Sequence, residues 1–196
     1  MTATQATDSA GKGGRLFVVS APSGAGKTTL CKAARERLPD LVYSVSSTTR
    51  KPRDGEVDGQ DYFFVSEDYF QQGIDSGLWA EWARVHANYY GTSARFLEGH
   101  LQAGRNVLLD IDVQGAKQIL QRYPEAVTVF IAAPSLDVLR QRLTARGLDD
   151  PATIELRMQN ARAEMACQSM YRHVVVNDDL AAAIEQFVGI LTGGGA

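Results

Sequence analysis

The chain is poor in the features that mark several large classes of protein. It has only two cysteines, Cys31 and Cys167, in 196 residues. That is too few, and too widely spaced, for a disulfide framework or a cysteine metal site. No run approaches the ~18 apolar residues of a membrane-spanning helix. Basic residues are not in excess, with 20 Lys and Arg against 23 Asp and Glu and a net charge of −3. A general affinity for nucleic acid or anionic lipid is therefore not expected, although a local basic cluster is compatible with these totals. Internal repeats and low-complexity linkers are absent as well. The start, Met1 to Gly14, lacks the apolar core of a signal peptide and the arginines of a transit peptide. It reads as a disordered tail, and the cytoplasm is the expected location.

What is present is an ordinary globular composition, 44% hydrophobic and 22% charged. Length and composition suit one α/β core with room for an inserted subdomain. Apolar runs at Arg15–Ser20, Leu41–Val45, Asn106–Asp112, Val127–Ala132 and Val174–Val176 predict strands. They alternate with helical patterns at Thr28–Leu38, Gln114–Gln121, Ser135–Arg146, Pro151–Ser169 and Leu180–Leu191. That rhythm predicts a parallel sheet with helices on both faces. The stretch near 46–93 breaks it. Ser46–Gln60 reads as a loop, Tyr62–Val65 and Trp79–Val85 as strands, and Asn88–Gly91 as a turn. Ser66 can cap a helix running to about Ser76, and Thr92 or Ser93 can open one running to Ala103. Cys31, on the first helix, is expected to be a buried, reduced thiol.

The strongest motif is Ser20–Thr29, SAPSGAGKTT, between the first strand and the first helix. Gly24 and Gly26 let the backbone curl and aim N–H groups into an anion site. The helix that follows adds its own free N–H groups and the positive end of its dipole. Lys27 supplies a cation for the β- and γ-phosphates of a nucleotide, and Thr28 a hydroxyl for the phosphate-bound Mg²⁺. The pattern G-x-x-x-x-G-K-[ST] begins here with Ala21 in place of Gly, a mild change away from the sharp part of the loop.

Four weaker constellations accompany it. Leu108–Asp112 is an apolar strand ending in Asp110 and Asp112, which taken alone suits helix capping equally well but beside a phosphate loop points to metal chemistry. Ser46–Glu56 carries Arg50 and Arg53, either a fork for a phosphate or a solvated basic loop. Glu81, between Trp79 and Trp82, can accept two hydrogens from a guanine edge; the alternative is a half-buried core strand. Arg140, Arg142, Arg146 and Arg157 flank the loop Gly147–Asp150, either a lid over a triphosphate or two charged helical faces.

Taken in order, Ser20–Thr29, Ser44–Arg53 (SVSSTTRKPR), Gly55–Phe64 (GEVDGQDYFF), Asn88–Ser93 (NYYGTS), Leu109–Gly115 (LDIDVQG) and Val176–Asp179 (VNDD) resemble the guanylate kinases. The resemblance runs from Arg15 to Leu191. It implies a P-loop NTPase-type α/β core (15–45, 96–135 and 168–191), a GMP-binding region at 46–95 and a lid at 136–167. It implies ATP and GMP as partners, Mg²⁺ as the cofactor, and no nucleic acid or membrane partner; a homo-oligomer is left open. By motif position, Arg50, Arg53, Tyr62 and Tyr90 hold the GMP phosphate, and Ser46, Glu81, Thr92 and Asp112 read the guanine. Glu56 and Asp110 join the GMP set. ATP falls to Ala21, Pro22, Ser23, Gly24, Ala25, Gly26, Lys27, Thr28 and Thr29, with Asn177 near the adenine. Thr28 and Asp110 lie near the metal. Lys27, Arg50, Arg142, Arg146 and Arg157 are the implied catalytic set. His86, His100 and His173 match no functional position. Two rivals stand beside this reading: an inactive scaffold module of the same family, and a kinase for another nucleoside monophosphate.

Overall fold

A computed structural model of the chain describes residues 13–85, 87–145, 147 and 150–193. Arg146, His86, most of the expected tail and the end of the chain lie outside the described residues. Among the described residues nine strands occur in chain order: β1 Leu16–Ser20, β2 Val42–Ser44, β3 Ser47–Thr48, β4 Phe63–Phe64, β5 Trp79–Val85, β6 Asn88–Ser93, β7 Val107–Asp110, β8 Val127–Ala132 and β9 His173–Val176. The helices are α1 Lys27–Arg37, α2 Glu67–Asp75, α3 Ala94–Gln102, α4 Val113–Arg122, α5 Leu136–Ala145, α6 Pro151–Met165 and α7 Leu180–Thr192. A short 3₁₀ turn covers Gln168–Met170. Among the described residues no helix is long and apolar enough to cross a membrane.

Five strands form a wholly parallel sheet in the order β2-β7-β1-β8-β9. Strand alternation divides its side chains between two cores. Phe17, Val19 and Leu108 pack on one face with Leu30, Leu139 and Phe187 from α1, α5 and α7. Leu16, Val18, Val107 and Leu109 pack on the other with Leu97 and Ile119 from α3 and α4. Helices therefore cover both faces, as the strand–helix rhythm predicts. In this topology the carboxyl ends of β1 and β7 lie side by side, with Val19 opposite Asp110. The crevice beyond those ends is where such sheets bind ligands.

The middle of the chain forms a second sheet in the order β4-β3-β6-β5. Here the structure corrects the sequence reading twice. Asn88–Gly91 is not a turn but the start of β6, which pairs antiparallel with β5 from Val85 opposite Asn88. Tyr89 and Tyr90 favour a pleated, half-buried surface, and that preference outweighs the turn signal of Asn88 and Gly91. Ser46–Gln60 is not loop throughout, because Ser47 and Thr48 bridge Phe63–Phe64 and Tyr90–Gly91. Ser66 and Ser93 cap their helices as expected, accepting from Tyr69 N (3.1 Å) and Phe96 N (3.3 Å). Cys31 is buried, at 2% exposure, in the first core.

Candidate active site

The loop after β1 turns at Gly24 (φ 89°) and Gly26 (φ 99°), in the left-handed region where only glycine is unstrained. Ala25 N–H donates back to the Pro22 carbonyl at 3.1 Å, closing the curve. α1 then starts directly at Lys27, with no side chain capping its first N–H groups. Those groups, together with Gly24, Gly26 and the Thr28 hydroxyl, border a cavity of about 660 Å³. Ala21, Pro22, Ser23 and Thr29 complete the loop side, and Arg142 and Glu164 reach it from α5 and α6. Arg157, also on α6, donates to Ser23 Oγ at 3.2 Å. Two members of the expected ATP set stand elsewhere. Ala25 is fully buried behind the loop. Asn177 is 5% exposed and donates its Nδ2–H to the Ala25 carbonyl at 2.8 Å.

A second cavity, of about 280 Å³, lies between the carboxyl ends of β2 and β7 and the inner face of the second sheet. It is bordered by Ser46, Tyr62, Glu81, Tyr90, Asp110 and Asp112, which the sequence singles out, by Asp61, which lies in the Gly55–Phe64 motif without an assigned role, and by Tyr43, which no motif marks. Lys27, Thr28 and Asp112 border both cavities. Arg50, Arg53, Glu56 and Thr92 do not border the second cavity. Arg50 makes a two-pronged pair with Glu56, Nη1 to Oε2 at 2.9 Å and Nη2 to Oε1 at 2.8 Å, and lies over the Tyr62 ring at 5.3 Å. Glu56 also accepts from the Arg53 main-chain N–H at 2.7 Å, while the Arg53 side chain is exposed. Its carboxylate is thus placed to orient Arg50 rather than to meet an anion itself.

Charge is arranged in opposed pairs. Lys27 Nζ lies 2.5 Å from Asp110 Oδ1, and the Tyr43 hydroxyl donates to Asp110 Oδ2 at 3.3 Å. Burial works against the Lys27 charge, but the Asp110 carboxylate outweighs it, so the pKa is raised and the ammonium persists. Asp112 does not act in only one place. It caps α4, accepting from Gly115 N at 2.8 Å, and it borders the two cavities. Glu81 is 4% exposed. Burial pushes its carboxyl up to about 7, and the Asp112 charge adds to this, against a hydrogen bond from Thr92 Oγ1 at 2.6 Å. Burial also pushes Glu164 up to about 7, opposed by Lys27 and the Ser23 main-chain amide. A site of this kind offers an anion cradle and a cation beside a buried carboxylate.

Comparison with known proteins agrees with this geometry. The family model described as "Guanylate kinase" matches residues 13–193. A guanylate kinase of Geobacter sulfurreducens is 47% identical over 178 residues, which cover 91% of this chain and 88% of that protein. One of Mycobacterium sp. (strain MCS) is 47% identical over 182 residues, covering 92% of each. The crystal structure of guanylate kinase from Anaplasma phagocytophilum superposes with a TM-score of 0.75 at 32% identity, over 93% of this chain and 86% of that one. The chain belongs to the guanylate kinase family.

Proposed function

We propose that the chain transfers the γ-phosphoryl group of ATP to GMP, giving ADP and GDP, with ATP on the loop cavity and GMP in the cavity facing the second sheet. The observation that supports this most directly is that Lys27, Thr28 and Asp112 border both cavities. Two ligands bound there meet over one cation. A GMP phosphate oxygen, anionic at neutral pH, forms the new P–O bond as the bond to the β-phosphate oxygen of ADP breaks. The nucleophile needs no strong base, so the protein's work is alignment and charge neutralisation.

Lys27 exchanges Asp110 for the transferring phosphoryl oxygens. Arg50, oriented by Glu56 and stacked on Tyr62, grips the GMP phosphate with Arg53 and Tyr90. Glu81, Ser46, Thr92 and Asp112 read the guanine. Arg142 and Arg157, and Arg146 by motif position, act from the lid at 136–167, while 46–95 carries GMP on the core. The donor set at the junction suits Mg²⁺. Thr28 and Asp110 offer hard oxygens, and among the described residues no group of three or more Asp, Glu, His or Cys forms a self-sufficient cage. A site for Mg²⁺ usually has one or two protein oxygens, with phosphates and water completing the shell. When bound, Mg²⁺ neutralises charge on the β- and γ-phosphates. The cytoplasm fits an enzyme acting on two phosphorylated nucleotides.

A coupled ADP-release assay with GMP, AMP, UMP and dTMP tests the reading. GMP is expected to lead the others by about two orders of magnitude or more in kcat/KM. Equal rates would favour a different monophosphate kinase, and no ADP release with any of the four a scaffold module.

A second expectation concerns the room left for Glu81. A Cβ on Gly115 would lie 2.3 Å from Glu81 Oε2. The side-chain end can swing away, so Gly115→Ala should fold but displace the carboxylate. KM for GMP is expected to rise about tenfold with KM for ATP unchanged. Steady-state titration of each substrate against saturating partner decides it.

A further inference from the structure

Asn177 directly follows β9, at the carboxyl end of the sheet and beside the phosphate loop. Its main-chain N–H donates to the Ala132 carbonyl at 2.8 Å, which extends the ladder between β8 and β9 and fixes the residue in place. Its carbonyl accepts from Arg142 Nη2 at 2.9 Å. Its side-chain amide donates to the Ala25 carbonyl at 2.8 Å, in a buried setting. The same amide nitrogen would lie 2.2 Å from a Cβ placed on Gly26, so the two are packed in contact. Asn177 does not border either nucleotide cavity.

The peptide between Ala25 and Gly26 is trans, as are all the described peptides. In a trans peptide the carbonyl and the following N–H point in opposite directions. Asn177 holds the Ala25 carbonyl toward the buried side of the loop. The Gly26 N–H, in the same plane, is thereby aimed to the other side, where the anion cavity lies. Without that restraint the peptide between two small residues, one a left-handed glycine, is held only through its neighbours, by the Ala25 N–H bond to Pro22 and the Leu30 N–H bond to the Gly26 carbonyl.

We propose that Asn177 is a positioning residue for the phosphate loop, aiming the Gly26 N–H at the polyphosphate of ATP and tying that peptide to Arg142. The proposal rests on the ATP-binding reading above. It gives α5 a route to the loop: Arg142, the Asn177 main chain, the Asn177 amide, Ala25 and then Gly26.

The test uses a ligand with the phosphates and no base. Dissociation constants for ATP and for inorganic tripolyphosphate are measured by calorimetry in the unaltered protein, in Asn177→Asp and in Asn177→Ala. Asn177→Asp keeps the shape but sets an acceptor against the Ala25 carbonyl. Both ligands are expected to weaken together, by about tenfold or more, the scale of one lost buried hydrogen bond. GMP affinity should be unchanged. Weakening of ATP alone would show that Asn177 reads the base, and would overturn the proposal. No change for either ligand would overturn it too. If the variants fail to fold, the Gly26 amide resonance of the unaltered protein decides. A large shift on adding tripolyphosphate supports the proposal, and no shift overturns it. An unaltered protein that binds neither ligand would remove the ATP reading and this proposal together. One that binds both, with variants that bind as well, would remove the proposal alone.

Discussion

With Lys27 replaced by alanine, turnover is expected to fall by about two to three orders of magnitude, on the order of 3–4 kcal/mol of lost transition-state stabilisation. Two effects add. The first is loss of the cation at the junction of the cavities, which the structure keeps charged through the 2.5 Å contact to Asp110. The second is what remains. Asp110, relieved of its ammonium, keeps neutral partners, the Tyr43 hydroxyl on Oδ2 and the Cys31 thiol, and presents its charge to incoming phosphates. Like charges in a partly buried site repel strongly. Lys27→Ala should therefore weaken nucleotide binding as well as slow transfer. Adding Asp110→Asn should restore part of the binding but not the turnover. Single-turnover rates and ATP titration separate the two, after a thermal melt shows that each variant is folded. Near-normal turnover in folded Lys27→Ala would end the kinase reading.

Glu81→Gln is expected to cut kcat/KM for GMP by about two orders of magnitude and to raise AMP relative to GMP. The carboxylate can accept from guanine N1–H and the 2-amino group, and such bonds to a charged acceptor contribute roughly 1.5–3 kcal/mol each. The amide sets a donor against one guanine donor, whereas adenine N1 can accept from it. An unchanged GMP:AMP ratio would return Glu81 to a structural role.

The structure adds a pH signature. Burial first, then the Asp112 charge, raise the Glu81 carboxyl from 4.5 to about 7 in the free protein. Guanine needs the ionised form, so GMP affinity should fall as pH drops through about 7. Comparison with Glu81→Gln removes the separate ionisation of the GMP phosphate, near pH ~6. The stability sign is the reverse. A carboxyl raised in the folded state stabilises fully below about 4.5 and loses that contribution as pH rises through about 7. The ligand-free protein should melt progressively lower from pH 5 to pH 8, and Glu81→Gln should flatten that slope.

Much of this was readable from the chain because it follows local rules. β5 and β8 have the sequence-predicted boundaries, since Trp79–Val85 and Val127–Ala132 are continuous strand-forming runs. The phosphate loop declares itself by glycines at fixed spacing. What was hidden depends on partners far away in sequence. β3, two residues long, is too short to carry a period and exists only because β4 and β6 pair with it. The Lys27–Asp110 pair joins residues brought together by parallel strands, and the phosphate-loop motif alone places Lys27 on a ligand. Asn177 gave no local sign that its amide would reach Ala25 across the loop. Glu164 sits in the last turn of an ordinary charged helix, and nothing around it marks a carboxylate that approaches the phosphate cavity.

One contact bears on the chain's behaviour outside the reaction. β5 is the free edge of the second sheet. Its seven residues, WAEWARV, are rich in apolar and aromatic side chains. The Gln118 amide of α4 accepts from Trp82 N–H at 3.2 Å and donates to the Trp82 carbonyl at 2.6 Å. A side chain here does what a neighbouring peptide group would do, and the middle of the edge has no unsatisfied pair to offer. An open strand of this composition is a template on which another molecule's strand can add, and such addition propagates into aggregates. The helix covers that template, and Gln118 fills its hydrogen bonds. The protection of this edge thus rests in part on a glutamine that borders neither cavity.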